Sequence, residues 1–319
     1  MAEEFIPVPE FEDIKQAHKR IKPFIHHTPV MTSKLINEIT GGFLFFKCEN
    51  LQKVGAFKYR GATNAVLSLS DEQAARGVAT HSSGNHAAAL ALAARSRGIK
   101  AYIVMPENAP EVKKIAVQGY GAEITFCEPT LAAREQTLEK VVARTGAAFI
   151  HPYNNFNVVC GQGTAALELI EDIGIPDIML APIGGGGLMS GTALTTRALA
   201  PDCSIYGTEP AGADDAFRSF KAGHIIPSDK PKTIADGLLT SLSTLTFSVI
   251  KNNLDDIVTV TEEEIVIAMR LIWERMKIIV EPSSAVPLAA VIAKKIDVNG
   301  KKTGIILSGG NVELNKLPF

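Results

Sequence analysis

The chain has 319 residues, 46% of them apolar and 21% charged, the composition of a folded soluble protein rather than a disordered one. Its formal net charge of −2 gives no overall field that would draw it to nucleic acid or to an anionic membrane. No window approaches roughly 18 uninterrupted apolar residues, so no membrane-spanning helix is expected. Met1-Ala2-Glu3-Glu4 is acidic rather than basic-then-apolar, unlike a signal peptide. Cys48, Cys127, Cys160 and Cys203 lie far apart without metal-ligand spacing, which suits reduced thiols and a cytoplasmic location.

Ile14, Ala17, His18 and Ile21 recur at helical spacing, and 43–48 reads as a strand leading to Gly55-Ala56-Phe57-Lys58-Tyr59-Arg60-Gly61. From there strands and helices alternate. Strands are expected at 77–81, 101–105, 123–127 and 147–150, with helices at 87–97, 110–118 and 131–144 between them. The second half repeats the rhythm: a strand at 178–183, four glycines, a helix through Ala198, and strands at 204–208 and 257–260. Thr261 and Glu264 form a capping box ahead of an apolar helical face, and a helix at 282–294 precedes a last strand at 304–308. Such βαβ alternation predicts an α/β protein with parallel-rich twisted sheets flanked by helices. The strands are too many for one ordinary sheet, so two lobes with a cleft between them are expected.

Lys58 sits among small and aromatic residues rather than among charges. Desolvation there would lower its pKa and leave the neutral amine that attacks a carbonyl, making it a candidate Schiff-base lysine. On these seven residues alone, a surface lysine with its stem against a ring is the commoner case. Gly184 to Gly187 follows a strand and opens a helix, where several backbone N–H groups and the helix terminus make a phosphate site. The spacing fits neither a P-loop nor G-x-G-x-x-G, since Met189 or Ser190 occupies the third glycine position. His81-Ser82-Ser83-Gly84-Asn85-His86 could hold a carboxylate or simply cap a helix. Glu209, Asp214 and Asp215 could hold a hard cation or form a solvated acidic turn. Ser308 closes the last strand on the side where open α/β sheets bind ligands.

In this order the motifs resemble the fold-type II pyridoxal-phosphate enzymes over nearly the whole chain, closest to the serine racemase and hydroxy-amino-acid dehydratase branch. The resemblance implies the tryptophan synthase β-subunit-like fold, with 1–76 and 148–319 as a large cofactor domain and 77–147 as a small one. It makes Lys58 the Schiff-base lysine, places Phe57 against the cofactor, and gives Asn85 the ring hydroxyl oxygen. Gly184, Gly185, Gly186 and Gly187 would take the phosphate, and Ser308 the pyridine nitrogen. Ser82, Ser83, Asn85 and His86 would bind the substrate carboxylate. Glu209, Asp215 and the backbone of Ala213 would hold Mg²⁺, or Ca²⁺ or Mn²⁺ in its place.

Threonine deaminases of the family typically read Ser-Ala-Gly-Asn-His where this chain has Ser82-Ser83-Gly84-Asn85-His86. In serine racemases the second serine is the acid/base opposite the lysine, which racemisation requires. The resemblance therefore implies a serine racemase that also eliminates water from serine to give pyruvate and ammonia, acting on a small hydroxy-amino acid as a homodimer. The alternatives are a dehydratase for L-threo-3-hydroxyaspartate or L-threonine, with Arg134 a candidate for a second carboxylate. An NAD- or nucleotide-binding oxidoreductase using the glycine run is more distant. Mammalian serine racemases have Gly-Gln where this chain has Ala87-Ala88, and a cysteine where it has Glu111-Val112-Lys113. ATP as an activator is accordingly doubtful, although Lys277 matches a nucleotide contact of the family.

Overall fold

Alternating buried strands and covering helices resolve into two sheets in the computed structural model, which describes residues 7–82, 84–109 and 111–319. The strands are β1 (Val30–Met31), β2 (Phe43–Cys48), β3 (Val78–His81), β4 (Ala101–Pro106), β5 (Glu123–Cys127), β6 (Ala148–Phe149), β7 (Ile178–Pro182), β8 (Ser204–Pro210), β9 (Asp256–Val260) and β10 (Lys302–Leu307). The helices begin with α1 (Phe11–Ile21), α2 (Lys34–Thr40), α3 (Lys58–Leu67), α4 (Asp71–Arg76), α5 (Asn85–Arg97), α6 (Glu111–Gly119) and α7 (Leu131–Thr145). They continue with α8 (Phe156–Ile173), α9 (Gly187–Leu199), α10 (Asp215–Ala222), α11 (Thr244–Asn253), α12 (Glu262–Leu271) and α13 (Pro282–Ile292).

One sheet has six strands in the order β1-β2-β10-β7-β8-β9, and the other four in the order β5-β4-β3-β6. Only β1 runs antiparallel to its neighbour; every other pairing is parallel. Ala148 and Phe149 pair with Val78 and Ala79, which puts β6 at one edge of the smaller sheet. The expected α/β class with parallel-rich sheets is what the chain adopts. Among the described residues no helix is long and apolar enough to cross a membrane.

Three helices, α3, α8 and α9, approach closely because glycines face one another. A Cβ on Gly161 of α8 would lie 2.6 Å from the Cα of Gly61 in α3. One on Gly191 of α9 would lie 2.4 Å from the Gly163 backbone. Any side chain there would push apart the helices that carry Lys58 and the glycine loop. The carboxyl ends of β2, β3, β7, β8 and β10 each lead into a loop that the sequence marks for chemistry, the usual placement in open α/β sheets.

Candidate active site

The loop before Lys58 is fastened to the loop after β10. Phe57 N donates to the Ser308 carbonyl at 3.0 Å, Gly310 N donates to the Gly55 carbonyl at 2.9 Å, and Ala56 bridges Gly309. Val54 takes the left-handed conformation, φ 58°, uncommon and costly for a β-branched residue; Asn311 Nδ2 holds its carbonyl at 2.8 Å. The turn delivers Lys58 to the start of α3, half-buried over a cavity of about 590 Å³.

That cavity is lined by Phe57, Lys58, Ser82, Asn85, His86, the four glycines and Ser308, residues from both sheets. The Lys58 amine donates to the Pro152 carbonyl at 3.0 Å and lies 5.1 Å from the centre of the Phe57 ring. Burial lowers its pKa to about 8, against the opposing pull of the Glu281 carboxylate. A substantial neutral fraction of the amine is therefore present near pH 8. Ser83 lies outside the described residues.

The glycine loop cannot carry side chains. A Cβ on Gly185 would lie 2.3 Å from the Tyr153 ring, and one on Gly184 2.9 Å from the Gly237 carbonyl. Gly186 has φ +85° and its Cβ would press on Leu242 and Thr246 at 2.8 Å. Gly187 then begins α9, adding the positive end of a 13-residue helix. A backbone cradle of this kind fits a phosphate group. Across the cavity, Ser308 Oγ lies 3.1 Å from Ser284 Oγ, which also donates to the Gly309 carbonyl at 2.6 Å.

His86 and His151 are neutral donors and acceptors rather than cations. His86 Nε2 donates to the Ile150 carbonyl at 3.1 Å, leaving buried Nδ1 without a partner among the described residues. Burial and the nearby Lys58 charge push its pKa down to about 3. With Nε2 committed to Ile150, the His86 ring offers an anion no positive charge. A carboxylate held beside His86 therefore draws on hydroxyls, amides and the start of α5 rather than on that ring. His151 Nδ1 accepts from Asn154 N at 2.9 Å and Tyr153 N at 3.3 Å, and burial likewise lowers this ring to about 3.

Glu209, Ala213 and Asp215 do not line the cavity; they meet where β8 turns into α10. Glu209 accepts from Ala216 N at 3.1 Å and Phe217 N at 2.7 Å. Both carboxylates are fully buried. Burial, with Asp215 close by, raises Glu209 well above the usual carboxylate range, and burial lifts Asp215 to about 6. Neither Asp215 oxygen has a hydrogen-bond partner among the described residues. Among those residues no three His, Cys, Asp or Glu side chains cluster for a metal. The expected set, two carboxylates and a carbonyl, would complete its shell with water, which suits a hard cation.

Sequence reasoning missed several contributors. Glu281, Ser283, His151 and Tyr153 all line the cavity. Glu281 stands before Pro282 and reads locally as a helix cap, and His151-Pro152-Tyr153 reads as a loop. Arg134, named from the sequence as a candidate for a second carboxylate, lines the cavity beside them.

An α/β fold of two parallel-rich sheets, with a desolvated lysine facing a glycine cradle across their junction, defines a class of enzyme that works with an aldehyde cofactor bearing a phosphate. Residues 21–309 match the family described as pyridoxal-phosphate dependent enzyme, and the chain belongs to it. It is 55% identical to a beta-hydroxyaspartate dehydratase of Paracoccus denitrificans (strain Pd 1222), covering 98% of this chain and 99% of that one. It is 52% identical to a serine racemase of Dictyostelium discoideum over 96% of each chain. Among solved structures, the maize serine racemase superposes with a TM-score of 0.95 at 46% identity, covering 97% of this chain and 95% of that one.

Proposed function

We propose that the chain is a pyridoxal-phosphate-dependent serine racemase that also eliminates water from serine to yield pyruvate and ammonia. The observation that carries this is the Lys58 amine, desolvated to a pKa of about 8 and facing the glycine cradle and Ser308 across one cavity. Serine racemases at 52% and 53% identity over nearly the whole chain support the choice of substrate.

Lys58 would hold the cofactor's aldehyde carbon, Gly184 to Gly187 its phosphate, Phe57 its ring, Asn85 its hydroxyl oxygen and Ser308 its nitrogen. When bound, the cofactor supplies a conjugated ring into which charge left at the substrate Cα can spread. The work of the chain is then positional and protonic. Once free, the Lys58 amine takes the Cα proton on one face, and Ser83 exchanges a proton on the other. Ser82, Asn85 and the start of α5 hold the substrate carboxylate, and the neutral His86 ring leaves that carboxylate's charge to these dipoles. We further propose that Glu209, Asp215 and the Ala213 carbonyl bind Mg²⁺, that 1–76 with 148–319 and 77–147 act as two domains, and that the enzyme is a cytoplasmic homodimer.

A second reading, an L-threo-3-hydroxyaspartate dehydratase, is favoured by one feature: Arg134 lines the cavity and its charge helps to lower the His81 pKa. A guanidinium there suits a second carboxylate, and the Paracoccus relative bears a matching name. Offering D- and L-serine, L-threonine and both threo-3-hydroxyaspartates separates the readings, with enantiomer exchange and keto-acid release as readouts. Serine exchange is the expected result; keto acid from hydroxyaspartate alone would overturn the racemase reading in favour of the second. Ser83→Ala is expected to abolish exchange while sparing most elimination. Borohydride treatment and peptide mapping should place the reduced cofactor on Lys58; a label elsewhere would overturn both.

A further inference from the structure

One fully buried carboxylate at the cavity has no part in the roles above. Glu281 is 3% exposed, sits just ahead of α13, and lines the cavity together with Lys58 and Ser308. Its two oxygens lie 3.0 and 3.1 Å from Asn85 Nδ2, near-equal distances that one N–H shared between both oxygens would give. On the other edge of the same amide, Asn311 Nδ2 donates to Asn85 Oδ1 at 2.9 Å and to the Val54 carbonyl at 2.8 Å.

The chain of bonds has one solution. A backbone carbonyl only accepts, so Val54 fixes the NH₂ edge of Asn311. That NH₂ requires the oxygen of Asn85, which turns the Asn85 nitrogen to the Glu281 carboxyl group on the opposite edge. The surroundings are shaped to keep Glu281 in place. A Cβ on Gly309 would lie 2.7 Å from Glu281 Oε1, and Glu281 N donates to the Gly309 carbonyl at 3.0 Å. Burial, and after it the Asp236 charge, raise the Glu281 pKa to about 7 against the Asn85 hydrogen bond and the Lys113 charge; its own charge reaches Lys58.

We propose that Glu281 is a positioning residue: with Asn311 it locks the Asn85 amide so that the second Nδ2–H is presented to an acceptor oxygen of the ligand held at Lys58. Under the pyridoxal-phosphate reading, on which this step rests, that acceptor is the ring hydroxyl oxygen. Glu281 acts through Asn85, so removing both must cost no more than removing Asn85 alone.

The test is retention of pyridoxal phosphate by the full-length protein, measured as a dissociation constant by cofactor fluorescence, for Glu281→Gln, Asn85→Ala and the double variant. Each single change is expected to weaken retention roughly tenfold, the size of one lost hydrogen bond to a polar group, with no further loss in the double variant. Multiplying losses in the double variant, or wild-type retention in Glu281→Gln, would overturn the proposal. Asn311→Ala cuts the same chain from its exposed end without touching the buried carboxylate. It is expected to match Glu281→Gln, and wild-type retention there overturns the proposal too. Labelling of wild-type Lys58 after borohydride is independent of all these variants, so the cofactor reading stands or falls separately.

Discussion

Two clusters of charge are sealed inside this protein, and they are built on opposite plans. In the first, Arg60 of α3 forks between Glu49, at 2.7 Å, and Glu168 of α8, also at 2.7 Å. Lys47 of β2 adds a contact to Glu168 at 2.9 Å and donates to the Thr28 carbonyl at 2.7 Å. Two cations meet two carboxylates, all essentially inaccessible to water. Here Glu168 is held well below the usual carboxylate range by His18, Arg60 and Lys47, which outweigh its burial. In the second cluster Glu209 and Asp215 are equally buried, yet both are pushed up rather than down. The difference is positive charge: among the described residues no cation is buried with the second pair, and Arg218 reaches it only from a partly exposed position. Balanced burial fixes a framework, in this case the helix that carries Lys58; unbalanced burial leaves acids that a divalent cation would neutralise.

The largest expected effect comes from unbalancing the first cluster. Glu168→Ala leaves Arg60 with Glu49 and Lys47 with only the half-buried Asp172 at 3.4 Å, and should destabilise the fold by about 3–5 kcal/mol, read from denaturant midpoints. A loss below about 1 kcal/mol would mean that water reaches the site and that the contrast between the clusters is false. The next effect comes from balancing the second cluster. Mg²⁺ at a hundred times its dissociation constant should stabilise the wild type by about 2.7 kcal/mol, seen as a rise in melting temperature that EDTA reverses. Asp215→Asn should remove that rise. An equal Mg²⁺ response in the variant would place the cation elsewhere.

How much of this was legible in the sequence follows from how local each feature is. The glycine run, the Lys58 stretch and the Thr261–Glu264 capping box each lie within a few consecutive residues, and each forms where it was read. The long helix α8 went unread. It is buried from Val158 to Ile170 and so has no polar face to set a helical period. Its Gly161 and Gly163, which resemble breakers, are instead the points where α3 and α9 touch it. A cap was available, since Asn155 Oδ1 accepts from Val158 N at 3.0 Å. Glu281 was beyond reach for a different reason. Its partner Asn85 lies 196 residues away, and only the meeting of two sheets brings them together.

Acid sharpens the contrast with a smaller effect. The folded-state pKa of Glu168 is depressed, so its contribution to stability is fully present above the ordinary glutamate value of 4.5 and is lost as pH falls from there. Melting temperature against pH should therefore drop more steeply below pH 4.5 in the wild type than in Glu168→Gln, which has no proton to take up at that position. Parallel curves would show that the buried pairs carry no net electrostatic stabilisation.

The smallest effect probes a cation near the second cluster. Arg218 of α10 binds Asp214 at 2.8 Å, is only partly covered, and its charge eases the burial of Asp215. Exposed pairs of this kind contribute about 0–1 kcal/mol. Arg218→Ala should therefore cost less than about 1 kcal/mol in EDTA. The same change makes the pocket around Asp215 more negative, so Mg²⁺ should bind up to about threefold more tightly. The two signs are opposed, and that opposition is the informative part. A residue that merely braces α10 would lower stability and leave Mg²⁺ affinity where it was. One that stands in weakly for a missing cation must lower the first and raise the second.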